Sequence, residues 1–201
     1  MFGLLEGQRV AVMQGRMHHY EGYSYEEVSY AVRVLRLLGC DTLVVTNAAG
    51  CVNLEWKAGD LMLITDQIKM FSESPLRGEN LPEFGVRFPD ASHLYTPRLR
   101  ELARETAAEL DIPLREGVYF YCYGPQCETP AGDPGRPDPG GSDAVGMSTA
   151  PEVVAGRTLR DGGAGPDLLS TWRRGVRRTF QPLGGQGCWT PRRQAWRNSP
   201  A

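Results

Sequence analysis

The segment DTLVVTNAAG, residues 41–50, decides the fold class of this chain. A short apolar run rich in β-branched residues ends there at small and polar residues. Buried parallel strands have this composition, and their carboxyl ends deliver the chain to ligand sites in α/β sheets. Ala48, Ala49 and Gly50 are small enough to let a ligand approach main-chain N–H groups, which can hold phosphate oxygens. The alternative interpretation of these three residues is a tight turn selected for packing.

Seven further segments alternate between strand and helix patterns. The pattern predicts strands at residues 9–16, 60–68, 118–123 and 143–147, and helices at residues 24–39, 96–110 and 150–157. The first helix has Ser24 and Glu27 at capping-box spacing, and the second has Pro97 at its first position. Ser148 or Thr149 is predicted to cap the third. Alternating elements of this kind indicate an α/β fold in which helices flank a sheet and ligands bind at strand ends.

Composition excludes several classes of protein. The chain has 201 residues, 41% of them hydrophobic, and a formal charge of -2, which is typical of one soluble α/β domain and not of a nucleic-acid binder. It has no apolar run long enough to span a bilayer, and its first residues lack the features of a signal peptide. We therefore expect a cytoplasmic protein without a membrane partner. The five cysteines show no CxxC spacing, which argues against a zinc site.

The composition changes at residue 157. From there to residue 201 the chain contains no Lys, Glu, Ile or Tyr, and Arg, Gly, Pro and Trp predominate. We expect a disordered, non-homologous tail at 157–201 after a partial domain at 1–156, within which the segment 132–142 is an aberrant insert. A second interpretation of the tail is a basic arm whose tryptophans stack on nucleic acid.

Charged side chains follow two of the predicted strands. Arg16 and His18 come after a glycine turn, and on an extended backbone both side chains project to the same side, as an oxyanion site requires. Glu128 follows the Gly-Pro turn of YGPQCET. The alternative to a binding site is that Arg16 is solvated, His18 is half-buried and Glu128 is a surface carboxylate.

Seven blocks, taken together and in order, resemble the trimeric purine nucleoside phosphorylases that are specific for 6-oxopurine nucleosides. The blocks are MQGRMHHYEGY, TLVVTNAAG, GDLMLITDQI, PLRG, FGVRFPD, GPQCETP and DAVGMSTAPEVV. The resemblance implies an incomplete nucleoside phosphorylase-like fold, with a twisted mixed sheet flanked by helices, and a homotrimer without a metal or organic cofactor. It implies a reaction in which inorganic phosphate, the co-substrate, displaces the purine from ribose and gives ribose 1-phosphate.

The resemblance also implies roles for individual residues. Those matching the family's phosphate binders are Arg16, His18, Ala48 and Ser148. Those matching its nucleoside binders are Tyr20, Asn47, Phe88, Tyr119, Glu128 and Met147. Glu128 and His18 are the implied catalytic residues, and Phe88 matches an aromatic residue that the family donates across the subunit interface. Glu128 would accept the purine N–H beside the 6-oxo group and so select against 6-amino purines.

The chain departs from the family pattern at several places. The family's glycine- and serine-rich phosphate loop precedes the equivalent of Met1, Cys127 stands where an aromatic residue stacks on the purine, and nothing after residue 155 matches. One hypothesis explains the insert and the tail as out-of-frame patches, because codons can be chosen for both that encode family-like sequence in another frame. We therefore expect impaired activity. The alternatives are a methylthioadenosine phosphorylase, which TNAAG and Glu128 disfavour, and a catalytically dead remnant or interaction protein.

Overall fold

In the computed structural model of the chain, strands and helices alternate as the sequence predicts. The structure describes residues 1–57, 59–129 and 141–159, together with the backbone of 167–173 and 176–177. The strands are β1 (Phe2–Leu5), β2 (Gln8–Ala11), β3 (Thr42–Asn47), β4 (Gly50–Cys51), β5 (Leu61–Ile68), β6 (Leu114–Tyr121), β7 (Ala144–Gly146), β8 (Asp167–Arg173) and β9 (Val176–Arg177). The helices are α1 (Tyr25–Leu37), α2 (Pro97–Glu109) and α3 (Ala150–Leu159).

Seven of the described strands form one mixed sheet, in the order β3-β8-β5-β6-β7-β4-β9. Strand β6 pairs in parallel with β5 and β7, and β8 pairs in parallel with β3 but antiparallel with β5. Helices α1 and α3 contact each other, and α2 contacts β5 and β8. The predicted fold class, a mixed sheet flanked by helices, is confirmed.

The helix boundaries follow local signals in the sequence. Ser24 caps α1 by accepting a hydrogen bond from the backbone N–H of Glu27, and Glu27 accepts one in return from the backbone of Ser24. Gly39 follows the helix with φ of +90°, a conformation that glycine adopts without steric cost. Pro97 occupies the first position of α2, as predicted.

Strand β3 differs from the prediction in its position within the sheet. It pairs with β8 and has no second neighbour among the described strands, so it lies at one edge of the sheet. Its residues alternate between exposed and at least partly buried, with Val45 in the core and Val44 56% exposed. A β-branched run is compatible with either position, because the sequence does not show which strands pair on each side.

The predicted strand at residues 9–16 is shorter in the structure and belongs to a separate hairpin. Strands β1 and β2 pair antiparallel around a turn at Glu6 and Gly7, both of which have positive φ. Positive φ at both central residues is characteristic of the two-residue turns that match strand twist. The apolar side chains of β1 are exposed, so the hairpin contributes little to the core.

The core lies along β5 and β6. Met62, Leu63 and Ile64 are fully buried in β5, and Tyr119 and Tyr121 are buried in β6. Within the described ranges, no helix combines the length and the apolar character that crossing a lipid bilayer demands.

The predicted domain boundary at residue 156 falls inside α3, which continues to Leu159 with residues 157–159 buried. Disorder is predicted from residue 157, but the backbone of 167–173 forms β8 and that of 176–177 forms β9. The tryptophans of the tail, on which the alternative nucleic-acid-binding interpretation depends, lie outside the residues whose side chains are described. So does most of the predicted insert, since residues 130–140 are not described.

Candidate phosphate and nucleoside site

The carboxyl end of β3 meets the amino end of α3. Asn47, the last residue of β3, donates a hydrogen bond from Nδ2 to Oγ1 of Thr149 over 2.8 Å. Thr149 immediately precedes α3 and has φ of +74°, a region that β-branched residues rarely adopt. Such strain persists only where neighbouring contacts hold the residue in place, and it is found most often at functional sites.

Arg16 reaches the same point from the loop that follows β2. Its Nη1 donates to Thr149 Oγ1 over 3.2 Å and to Glu152 Oε1 over 2.9 Å. Its Nη2 donates to the carbonyl oxygen of Thr46. The guanidinium therefore joins three segments that are distant in sequence: the loop after β2, the end of β3 and the start of α3.

Ser148 completes this arrangement and is itself fixed by Tyr119. The Ser148 hydroxyl lies 3.4 Å from Thr149 Oγ1, and the Ser148 carbonyl accepts a hydrogen bond from the Tyr119 hydroxyl over 3.0 Å. Complete burial raises the pKa of Tyr119, so its hydroxyl stays protonated and able to donate. We call Arg16, Asn47, Ser148, Thr149 and Glu152 the polar cup.

His18 and Tyr20 follow Arg16 closely in the sequence, and their rings stack with centroids 4.8 Å apart. His18 Nδ1 is 3.1 Å from Glu21 Oε2, and the same oxygen accepts the backbone N–H of His18 over 2.7 Å. The hydrogen bond from that backbone N–H lowers the pKa of Glu21 and favours its ionised form. With Glu21 on Nδ1, the imidazole presents Nε2 for contact with a ligand.

Two residues predicted to bind the nucleoside lie at the ends of β6 and β7. Met147 follows β7, and its thioether packs against Gly124. Gly124 has φ of +67°, a backbone conformation that favours glycine. Glu128 is half-buried in the loop after β6.

Phe88 stands apart from the other predicted site residues. Its side chain is 88% exposed, and the guanidinium of Arg87 lies 5.9 Å from its ring centroid. Arg157 of α3 holds the following stretch, because its Nε donates to the Asp90 carbonyl over 2.6 Å. Phe88 therefore belongs to an anchored loop whose aromatic side chain faces away from the core of its own chain.

The structure brings together part of the predicted site. Arg16, Asn47, Ser148 and Tyr119 are joined through hydrogen bonds that centre on Thr149, and Ala48 is exposed directly after Asn47. The contacts described for His18, Tyr20, Met147 and Phe88 are made with other residues, Glu21, Gly124 and Arg87 among them.

Sequence reasoning missed the roles of Thr149 and Glu152. Thr149-x-x-Glu152 has the spacing of a capping box, which predicts a carboxylate that serves only its own helix. The available signal in the sequence was a single acidic residue, Glu152, in an otherwise apolar helix turn. Such a turn is expected to be buried, and a buried carboxylate requires a partner. Within the described residues, no cluster of His, Cys, Asp and Glu is placed to hold a metal ion.

Comparison with known proteins places the chain in a family. The family model of the phosphorylase superfamily matches residues 1–160. Purine nucleoside phosphorylase 1 of Bacillus subtilis (strain 168) is 53% identical over 154 residues, which are 77% of this chain and 56% of that protein. Purine nucleoside phosphorylase of Bos taurus is 48% identical over 162 residues, which are 78% of this chain and 56% of that protein.

Solved structures agree with these relatives. A Schistosoma purine nucleoside phosphorylase in complex with guanosine superposes with a TM-score of 0.81 at 40% identity, covering 88% of this chain and 68% of that one. Isoform 2 of the enzyme from Schistosoma mansoni, in complex with cytosine and ribose-1-phosphate, gives a TM-score of 0.79 at 38% identity, covering 86% of this chain and 60% of that one. The chain spans about half the length of the curated relatives it matches. It belongs to the phosphorylase superfamily, and the relatives named here are purine nucleoside phosphorylases.

Proposed function

We propose that this chain carries the phosphate and nucleoside site of a purine nucleoside phosphorylase, a pentosyltransferase that cleaves inosine and guanosine. The observation that carries the proposal is the polar cup, in which Arg16 is held beside Ser148 at the end of β3. A guanidinium with an adjacent hydroxyl suits an oxyanion such as inorganic phosphate. The guanosine and ribose-1-phosphate named for the Schistosoma relatives are the corresponding substrate and product.

The reaction assigns each predicted residue a contact. Arg16, His18, the Ser148 hydroxyl and the Ala48 amide grip the phosphate, one of whose oxygens forms a bond to the anomeric carbon of ribose. The carbon–nitrogen glycosidic bond breaks at the same time, and its electron pair leaves with the purine, which then takes up a proton. This chemistry needs no metal or organic cofactor, because the chain's own donors stabilise the charge that develops.

Glu128 determines which base is accepted. A carboxylate that accepts the purine N–H beside the 6-oxo group strengthens this contact as negative charge spreads over the departing base. An adenine ring lacks that N–H, so adenosine is a poor substrate. The relatives named above support the 6-oxopurine assignment over methylthioadenosine phosphorylase, because all of them are named purine nucleoside phosphorylases.

We further propose a homotrimer that works in the cytoplasm. Support for subunit association comes from Phe88, whose ring is almost wholly exposed on an anchored loop and is available to a neighbouring subunit. Tyr20, Tyr119 and Met147 would line the sugar from within the chain, with Asn47 on the nucleoside side of the polar cup.

The test is release of hypoxanthine from inosine with phosphate and inosine varied independently. We expect activity that requires phosphate, is slower than that of the relatives named above and is poor with adenosine. Glu128→Ala is expected to lower kcat/KM for inosine about a hundredfold to a thousandfold, the typical effect of losing one preorganised contact to developing charge.

Glu105→Ala, at an exposed position of α2, serves as the control and is expected to match the unmodified chain. If Glu128→Ala keeps full inosine turnover and still excludes adenosine, the base-binding assignment is wrong. A folded chain that shows no phosphate-dependent cleavage of any purine nucleoside supports the alternative of a catalytically dead remnant.

A further inference from the structure

Glu152 is a buried carboxylate for which the proposed reaction has no direct use. It lies in the first turn of α3 and is 7% exposed. Oε1 accepts the hydrogen bond from Arg16, while Oε2 is buried without a hydrogen-bond partner among the described residues. Burying an ionised group is costly unless it is paired, so retention of this carboxylate depends on Arg16.

The contacts of Arg16 show what the pairing does to the guanidinium. A guanidinium has five N–H donors in a fixed plane. Three of them are used by Glu152, Thr149 and the Thr46 carbonyl, and these acceptors come from two different elements. The other two donors have no acceptor among the described residues, and two is the number that a bidentate contact with a phosphate requires.

We propose that Glu152 is a positioning residue that orients Arg16 so that its two remaining N–H groups face a phosphate oxyanion. The inference rests on the proposed function and adds to it the residue that sets phosphate affinity. Glu152 acts through Arg16 and does not touch the substrate. A carboxylate behind the guanidinium also makes the pair close to neutral, so the polar cup recognises phosphate by directed hydrogen bonds more than by net charge.

Orientation of Arg16 and electrostatic repulsion of phosphate predict opposite changes in phosphate affinity when the Glu152 carboxylate is removed. If the negative charge of Glu152 acted mainly by repelling phosphate, removing it would tighten binding. If Glu152 acts mainly by orienting Arg16, removing its oxygens weakens binding, and a side chain that keeps an acceptor oxygen restores it. Glu152→Ala and Glu152→Gln distinguish the two cases, because only the glutamine retains an acceptor for Nη1.

The experiment measures the dissociation constant of inorganic phosphate by calorimetry with the full chain, together with the KM values for phosphate and inosine. We expect Glu152→Ala to raise the Kd and KM for phosphate about tenfold, the lower end of the range seen when an orienting partner of a ligand-binding group is lost. We expect Glu152→Gln to bind phosphate nearly as well as the unmodified chain. The KM for inosine should change little in either variant.

A double-mutant cycle with Arg16→Ala tests whether Glu152 acts through Arg16. In that background, Glu152→Ala is expected to produce no further loss of phosphate affinity. The control is Glu116→Ala, which breaks an ion pair with Arg104 over 2.6 Å outside the polar cup and is expected to leave phosphate binding unchanged. The stability of this variant also shows how well the fold tolerates the loss of an ion pair.

The outcomes distinguish failure of the positioning role of Glu152 from failure of the proposed function. If Glu152→Ala binds phosphate as tightly as the unmodified chain or more tightly, or if glutamine fails to restore binding, the inference is overturned while the proposed function stands. If the unmodified chain binds no phosphate, the proposed function fails and the inference fails with it. Should Glu152→Ala not fold, Glu152→Met replaces it in every comparison, because methionine has a similar length but no oxygen to accept from Nη1.

Discussion

Thr149 combines a strained backbone with two hydrogen bonds to its hydroxyl. Its φ of +74° is unfavourable for a β-branched residue, yet Oγ1 accepts from both Arg16 and Asn47. A left-handed β-branched residue costs on the order of 1 to 3 kcal/mol. The contacts to the hydroxyl offset this cost and hold the amino end of α3 against the end of β3.

Two substitutions at Thr149 separate the hydroxyl from the branched side chain. Thr149→Val keeps the shape and the strain but removes the acceptor, so the free energy of unfolding should fall by about 1 to 3 kcal/mol, the cost of leaving buried donors unsatisfied. Thr149→Ser keeps the acceptor and is expected to be at least as stable as the unmodified chain. Urea denaturation of both variants gives the comparison, and equal stability of the two would contradict the role assigned to Oγ1.

At the scale of elements, hydrogen bonds to Asp143 join β6 to the segment after β4. Its carboxylate accepts from the backbone N–H of Val118 over 2.9 Å and from Nδ2 of Asn53 over 2.7 Å. Gly117 must lack a side chain for this contact, because an added Cβ would lie 2.5 Å from the Asp143 carboxylate. The carboxylate therefore fixes how the short strand β7 enters the sheet.

Replacing Asp143 by alanine should destabilise the protein by about 1 to 3 kcal/mol, because two partly buried donors lose their acceptor. Asp41→Ala is the matched control, since Asp41 pairs with Arg36 at the surface and such pairs contribute roughly 0 to 1 kcal/mol. Urea denaturation is the measurement. Equal losses in the two variants would show that the Asp143 contacts add no more than a surface pair.

Two buried tyrosines make the free energy of unfolding depend on pH in the alkaline range. Burial raises the pKa of Tyr95, whose hydroxyl donates to Gln67 of β5, and that of Tyr119 in β6. In the unfolded chain both hydroxyls have the ordinary tyrosine pKa of about 10. Above that pH the unfolded state binds fewer protons than the folded state, so the free energy of unfolding falls as the pH rises.

Tyr95→Phe removes one of these groups and is expected to make the decline between about pH 9 and pH 11 shallower. Below the ordinary tyrosine pKa the same variant should be less stable than the unmodified chain, since its hydrogen bond to Gln67 is lost. The measurement is urea denaturation across this range of pH. Parallel curves for the two proteins would mean that Tyr95 does not contribute to the pH dependence.

At the scale of the whole molecule, a considerable apolar area lies outside the core. In the β1–β2 hairpin, Phe2 is 75% and Leu4 is 72% exposed, and β3 leaves one sheet edge without a described partner. Exposed apolar patches and unpaired strand edges favour association between chains. The free energy of unfolding of a domain is only ~5 to 15 kcal/mol, so apolar side chains that stay exposed reduce a small margin of stability. We therefore do not expect a stable monomeric enzyme.

Sedimentation at increasing concentration should show self-association of the chain. Replacing Phe2 and Leu4 by serine is expected to reduce it, because the exposed apolar face of the hairpin becomes polar. Phe71→Ser, which removes an exposed aromatic from the loop after β5, is the control and should have a smaller effect. A chain that stays monomeric and melts cooperatively at all concentrations, with phosphorolysis as fast as that of its relatives, would contradict the prediction.

The parts of the fold that were predictable are those set by neighbours in sequence. The capping box of Ser24 and Glu27, the proline at the start of α2 and the apolar run of β5 each depend on contacts within a few residues. The edge position of β3 and the strand pairing of β8 were not predictable. Backbone pairing with β3 and β5 places residues 167–173 in the sheet, although the composition of the tail predicts disorder.

The sequence by itself determined the fold class and the starts of the helices, since these follow from periodicity and capping, and it singled out Arg16 and His18 as candidates for an oxyanion site. Only the tertiary structure decided that Arg16 meets Thr149 and Glu152, which lie 133 and 136 residues further along the chain. A hydrogen bond across such a separation depends on how the sheet and α3 pack. The burial that makes Glu152 depend on Arg16 exists only after that packing has formed.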